Sequence, residues 1–211
     1  MKINKIDKIF KILKKYYKDR SDIELFYVNN FTMLVAIVLS AQATDIGVNK
    51  ATKELFKIAN TPEKMVQLGL EKLKTHIKTI NFFNNKAKYI IALSKSLIEK
   101  FNSKVPEKFS DLTSLAGVGK KTAKVFSNQA FGSPFIGVDT HVFRTTNRLG
   151  LVDEKDIKKT DERLDEIIPE KYKQDIGHWL VIHGRYVCKA RKPLCEKCPL
   201  KELCDFYKKN V

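Results

Sequence analysis

The chain has 211 residues, 43% of them hydrophobic. That is enough for a core in one domain or two small ones, and too apolar for a disordered chain. Its 40 lysines and arginines stand against 24 acids, a formal charge of +16 that favours a polyanionic partner, either nucleic acid or an anionic membrane surface. A lysine-rich proteome produces the same excess, so charge narrows the partner class without choosing it.

The lysine-rich start lacks the uninterrupted apolar core of a secretory signal. Its segment Ile3–Lys18 carries Ile6, Ile9, Phe10, Leu13, Tyr16 and Tyr17 at helical spacing, with lysines on the opposite face. Packing against a soluble fold is the commoner fate of such a helix than lying on a membrane. Residues 25–44 are uncharged, but Asn29, Asn30, Ser40 and Gln42 interrupt them. The strongly apolar part, Phe31–Leu39, reads as a buried core helix and not a membrane span. Thr44 or Asp45 caps a helix to about Ala59, and Thr61-Pro62-Glu63 is a cap followed by proline at the first helical position. Asn84 or Asn85 opens a longer helix with Ala87, Ile90, Ile91, Leu97, Ile98 and Phe101 on its buried face. Pro106 stands in the connection that follows.

Ser110 can cap a short helix from Asp111 to Leu115, which Gly117-Val118-Gly119 breaks. A second helix restarts at Lys120 and runs to about Phe131, with Ala123, Phe126 and Ala130 on one face. Two helices joined by a tight Gly-X-Gly turn leave the first N–H groups of the second helix pointing outward. With Lys120 and Lys121 beside it, such a start is a natural seat for a phosphate. An ordinary connection with two solvated lysines has the same sequence, and the turn alone does not separate the two. Further helices fit Asp139–Leu149, Asp156–Ile168 and Gln174–Val187, the last carrying the single Trp179. No alternating β-branched run bounded by turns appears, so the expected fold is all-α.

All four cysteines fall near the C-terminal end: Cys188, Cys195, Cys198 and Cys204, a C-x6-C-x2-C-x5-C pattern. In a reducing compartment that clustering argues for a metal site, zinc or iron–sulfur, and not for disulfides. Zinc ribbons usually show two C-x2-C pairs, and only one is present here. Between Cys188 and Cys195 lie Lys189, Arg191 and Lys192. A loop pinned at both ends would hold these cations at fixed spacing toward phosphates; a solvated basic loop is the plain alternative.

The run Leu115-Ala-Gly-Val-Gly-Lys-Lys-Thr-Ala123, followed by Val138-Asp-Thr-His141, closely resembles the helix–hairpin–helix and catalytic segment of the endonuclease III family of DNA glycosylase/AP lyases. The likeness extends upstream through Leu39-Ser-Ala-Gln-Ala-Thr-Asp45 and downstream to the four cysteines, so it covers nearly the whole chain. It implies two helical lobes with a DNA-binding cleft between them. One is a six-helix barrel with the hairpin, residues 22–132; the other is a discontinuous cluster lobe, residues 1–21 and 133–211, with boundaries near Asp22 and Ser133. It also implies a [4Fe–4S] cluster on the four cysteines and a cytoplasmic, nucleoid-associated monomer without membrane contact. The implied partner is double-stranded DNA containing oxidised pyrimidines or abasic sites.

Residue by residue, the resemblance places the nucleophile at Lys121 and the essential carboxylate at Asp139, a position where a plain N-cap is equally at home. A lysine nucleophile acts as the neutral amine, which desolvation and neighbouring positive charge favour. Gln42 and Phe82 become wedges that fill the space of an extruded nucleotide. Phe82 could instead be buried in a local core. Gly117, Gly119 and Lys120 contact DNA at the hairpin, and Lys189, Arg191 and Lys192 at the cluster loop. His141 lines the damage pocket, packs in the core or makes a local hydrogen bond. Two positions depart from the family pattern: Asn81 replaces a usual glycine, and Ala116 a usual proline. Monofunctional relatives such as adenine-mismatch glycosylases lack the hairpin lysine. A non-catalytic DNA-binding protein would keep hairpin and cluster for grip alone, and the joint presence of Lys121, Asp139 and Gln42 argues against it.

Overall fold

The computed structural model describes residues 2–18 and 25–210. Its helices are α1 (Lys2–Tyr17), α2 (Asn30–Ser40), α3 (Asp45–Ile58), α4 (Pro62–Leu68), α5 (Leu70–Ile77), α6 (Phe83–Phe101), α7 (Phe109–Ser114), α8 (Lys120–Phe131), α9 (Thr140–Arg148), α10 (Ile157–Ile167), α11 (Glu170–Tyr186) and α12 (Asp205–Asn210). No strand occurs among the described residues, so the fold is all-α. The chain divides into two compact units, Ile23–Phe131 and Met1–Asp22 with Gly132–Val211. The expected boundary near Asp22 lies outside the described residues.

The Ile23–Phe131 unit is built around α2, in which every residue from Phe31 to Leu39 is buried. An apolar helix covered all round is the signature of a core element, and α3, α6 and α8 supply the cover. Its start is fixed by a reciprocal cap: Thr32 N–H donates to Asn29 Oδ1 at 2.9 Å, and Asn29 N–H to Thr32 Oγ1 at 3.0 Å. Its end is held by Lys86 of α6, only 6% exposed, whose Nζ donates to Leu39 O at 2.8 Å and Ala41 O at 2.6 Å. A cation there satisfies carbonyls that the last helical turn leaves open, and burial lowers the Lys86 ammonium below the ordinary lysine pKa.

Thr44 caps α3 by accepting from Gly47 N–H, and Thr61 caps α4 with Pro62 at its first position. Three expectations shift here. α5 is an addition to the elements that periodicity predicts: Gly69, at φ +80°, breaks the helical run after α4 and a new helix starts at once. α6 opens at Phe83, so Asn84 and Asn85 lie inside its first turn and do not cap it; its face is buried at Ala87, Ile90 and Leu97, whereas Ile98 is exposed. α7 begins at Phe109 after Lys108, which puts Ser110 inside the helix, bonded to Asp111 Oδ1 and capping nothing.

In the other unit, α1 packs on α11 through Ile6, Ile9, Phe10, Leu13 and Tyr17. Tyr16 points outward, 57% exposed, against the expected inward face. Phe10 stacks on Tyr172 at 4.0 Å and tilts against Trp179 at 5.1 Å. α11 starts at Glu170 and not at Gln174, because Pro169 supplies the break. α9 and α11 meet where a Cβ added to Gly184 would lie 2.7 Å from His141 Cβ, so this contact admits glycine alone. Beyond α11 come two 3₁₀ turns, Cys195–Lys197 and Lys201–Leu203, and then α12, all of them additions to the expected elements. Among the described residues no helix is long and apolar enough to cross a membrane.

Candidate active site and metal centre

The hairpin between α7 and α8 forms as its glycines demand. Leu115 and Val118 are buried and anchor the turn, and Val118 N–H bonds Leu115 O at 3.1 Å. Gly117 adopts φ +78°, and a Cβ there would lie 2.9 Å from Tyr89 Cβ. Gly119, by contrast, faces open space. The first bond of α8 runs from Ala123 N–H to Gly119 O at 2.9 Å, which directs the preceding N–H groups out of the turn. Ala116 leaves this geometry intact. Lys120 and Lys121 are both exposed at the start of α8.

On the same unit, Gln42 and Phe82 both adopt left-handed backbone conformations, at φ +55° and +59°. Phe82 is 63% exposed and is not packed in a local core. Asn81, the departure from glycine, uses its side chain: Nδ2 donates to Gln42 O at 3.0 Å.

The discontinuous unit carries Asp139 as the N-cap of α9, Oδ1 accepting from His141 N–H at 2.8 Å and Val142 N–H at 2.9 Å. The carboxylate is thereby fixed at the positive end of the helix. His141 takes a local hydrogen bond, its Nδ1 lying 3.2 Å from Arg144 Nη2. Arg144 then ties this helix to its neighbour, donating to Cys188 O at 2.9 Å and Gly184 O at 2.8 Å.

Cys188, Cys195, Cys198 and Cys204 are free thiols lining one pocket with Arg148, His183, Val187, Leu194 and Phe206. Among the described residues no three His, Cys, Asp or Glu side chains converge to hold a single ion. The four thiols rim one cavity, and four cysteine thiolates are the ligand set of a [4Fe–4S] cluster. Burial pushes the Cys198 thiol up to about 11, and the other three cysteines add repulsion. The same causes raise Cys195. Four thiolates in one desolvated pocket repel each other unless a cationic core lies among them, so the donor set fits an iron–sulfur cluster.

Two side chains brace this pocket. Arg148 places Nη1 3.5 Å from Cys188 Sγ, donates to Lys189 O at 2.7 Å and Ala190 O at 3.1 Å, and lies 4.6 Å over the Phe206 ring. His183, 1% exposed, sits 3.5 Å from Cys198 Sγ through Nε2 and 3.1 Å from the Tyr17 hydroxyl through Nδ1. Burial lowers its pKa to about 4, so the ring is neutral at pH 7. A neutral imidazole has one N–H and one bare nitrogen, so one of these two contacts is donated by the ring and the other accepted by it. The basic loop closes at its base, where Val187 O accepts from both Lys189 N–H and Leu194 N–H. Lys189, Arg191 and Lys192 are exposed on it.

Residues 35–170 match the HhH-GPD superfamily of base excision DNA repair proteins. Residues 188–204 match the iron-sulfur binding domain of endonuclease III. The chain is 52% identical to endonuclease III of Haemophilus influenzae over 186 residues, 88% of each chain. It is likewise 52% identical to that of Rickettsia conorii over 202 residues, 96% of each.

The chain belongs to the endonuclease III family.

Solved structures agree. An endonuclease III trapped as a covalent intermediate with DNA matches with a TM-score of 0.90 and 40% identity, over 99% of this chain and 98% of that one. A non-covalent endonuclease III–DNA complex also matches with a TM-score of 0.90. As in the endonuclease III family generally, the four cysteines hold a [4Fe–4S] cluster.

Sequence reasoning misses Lys86, Asn81, Arg144 and Arg148 as contributors to this endonuclease III framework. Lys86 stands four residues before Ile90 on an otherwise apolar stripe, a signal that its charge is buried and paired. Arg144 and Arg148 share one face of α9 by their spacing, but nothing local reveals that their partners are backbone carbonyls of a distant loop.

Proposed function

We propose that the chain is a bifunctional DNA glycosylase/AP lyase that removes oxidised pyrimidines from duplex DNA and cleaves 3′ to the abasic site by β-elimination, serving base-excision repair in the cytoplasm. The observation that carries the reading is a lysine, Lys121, exposed in the first turn of a hairpin helix in an endonuclease III family chain. A protein relying on water as nucleophile would stop at base removal.

In this mechanism phosphates seat on the hairpin at Gly117, Gly119 and Lys120 and on the loop cations Lys189, Arg191 and Lys192. Gln42 and Phe82 fill the space left by the extruded nucleotide. DNA covering Lys121 excludes water from it, and the neutral amine attacks C1′. The N-glycosidic bond breaks, the base leaves with its electron pair and takes up a proton, and Asp139 stabilises the positive charge on the sugar. Ring opening leaves a Schiff base on Lys121. Loss of a C2′ proton then expels the 3′ phosphate, and hydrolysis frees the enzyme. When bound, the [4Fe–4S] cluster supplies the bonds that hold its four ligands and the intervening loop in place. Its four ligands are Cys188, Cys195, Cys198 and Cys204.

The test is incubation with a duplex carrying thymine glycol, without alkali or heat. Strand cleavage leaving an unsaturated sugar at the 3′ end is expected. Accumulation of uncut abasic sites would shift the reading to a monofunctional glycosylase, and binding without base loss to a DNA-binding protein.

A further inference from the structure

Gln42 and Phe82 lie far apart in sequence, and both hold a backbone conformation that residues with a Cβ rarely adopt, at φ +55° and +59°. Such conformations persist only where the surroundings enforce them. Here the enforcing groups come from the start of α6. Asn81 Nδ2 donates to Gln42 O at 3.0 Å. The buried Lys86 amine donates to Leu39 O at 2.8 Å and Ala41 O at 2.6 Å, and the Lys86 N–H bonds Phe82 O at 3.1 Å. Lys86 thus fixes the chain up to residue 41 and the carbonyl of residue 82. Among these contacts, Asn81 alone reaches residue 42.

From this geometry we infer that Asn81 is a positioning residue for nucleotide extrusion, its amide bracing the Gln42 and Phe82 tips at a set separation. The inference rests on the proposed reading of Gln42 and Phe82 as wedges. A braced pair enters the duplex with its backbone already ordered, so only side-chain freedom is lost at the moment of insertion. Asn81 does not touch the sugar or the reacting atoms. Its effect therefore falls on the step in which a stacked, paired base is drawn out. An abasic site has no base to unstack or unpair, and it makes the smaller demand on that step.

Single-turnover rates on two duplexes test this: one with a paired thymine glycol, the other with a preformed abasic site. Asn81→Ala removes the donor, and Asn81→Asp sets a carboxylate against the Gln42 carbonyl. Both variants are expected to slow base removal about tenfold, from one missing hydrogen bond and two loosened tips. Cleavage of the abasic duplex and the thermal midpoint are expected to stay near wild type, and Asn81→Gln to recover much of the deficit. An equal slowing of both steps, or no slowing, overturns the inference while leaving the enzyme reading intact. A wild-type protein that performs neither step overturns both.

Discussion

Arg144 Nε donates to the backbone carbonyl of Cys188 at 2.9 Å, which bonds the helix capped by Asp139 directly to the first cluster ligand. A second arm of the same guanidinium reaches Gly184 O at 2.8 Å. Hydrogen bonds from a charged donor are worth about 1.5–3 kcal/mol each. Arg144→Met leaves two carbonyls unpaired and is expected to lower unfolding free energy by about 2–3 kcal/mol in denaturant titration of the cluster-loaded protein. Unchanged stability would show that the tie carries no load.

The cluster loop is set before DNA arrives, because Arg148 holds the carbonyls of Lys189 and Ala190 and Val187 closes its base. On the proposed reading, each loop cation then meets a phosphate from a fixed position. Replacing Lys189, Arg191 or Lys192 singly by Ala is expected to flatten the slope of log affinity against log salt by about 0.9 for each phosphate no longer neutralised. Binding titrations across a salt series measure this, and slopes identical to wild type would contradict it.

The hairpin glycines do different things. Gly117→Ala forces a Cβ into the left-handed region and within 2.9 Å of Tyr89, and an expected loss of about 2 kcal/mol of stability follows. Gly119→Ala meets open space in the free protein. It is expected to leave stability within about 0.5 kcal/mol of wild type yet weaken DNA binding, since its methyl would stand where the proposed function seats a phosphate. Parallel melting and binding measurements separate the two.

Much of the molecule is legible in the sequence because local rules and global fold agree. Thr44 and Thr61 cap where their side chains can reach a free N–H, and Phe31–Leu39 is core. The starts of α6 and α7 differ from expectation because tertiary contacts set them: Phe82 turns left-handed at a tip bridged by Asn81, and Phe109 opens α7 packed against the core, leaving Ser110 inside the helix. The short turns and α12 around the cysteines are illegible for a different reason. Their path is dictated by four ligands of one cluster, and no periodicity records it. Lys121 and Asp139 stand out only through family likeness; their residue types alone read as a surface lysine and a cap.

Lys86 offers the clearest stability test in the Ile23–Phe131 unit. Lys86→Met keeps the apolar stem but strips Leu39 O and Ala41 O of their donor. A cost of about 2 kcal/mol is expected, read in denaturant unfolding, with Gln42 gaining backbone mobility in hydrogen exchange. A gain in stability would mean that burying the amine costs more than its two bonds return.

The most direct measurement of the central claim is borohydride reduction of the protein with abasic-site DNA. Wild type is predicted to yield a covalent protein–DNA species stable to denaturation, and Lys121→Gln is predicted to bind the same DNA without yielding it. Trapping that survives in Lys121→Gln at the wild-type level, or a wild-type protein that binds abasic DNA and never traps, would contradict the account.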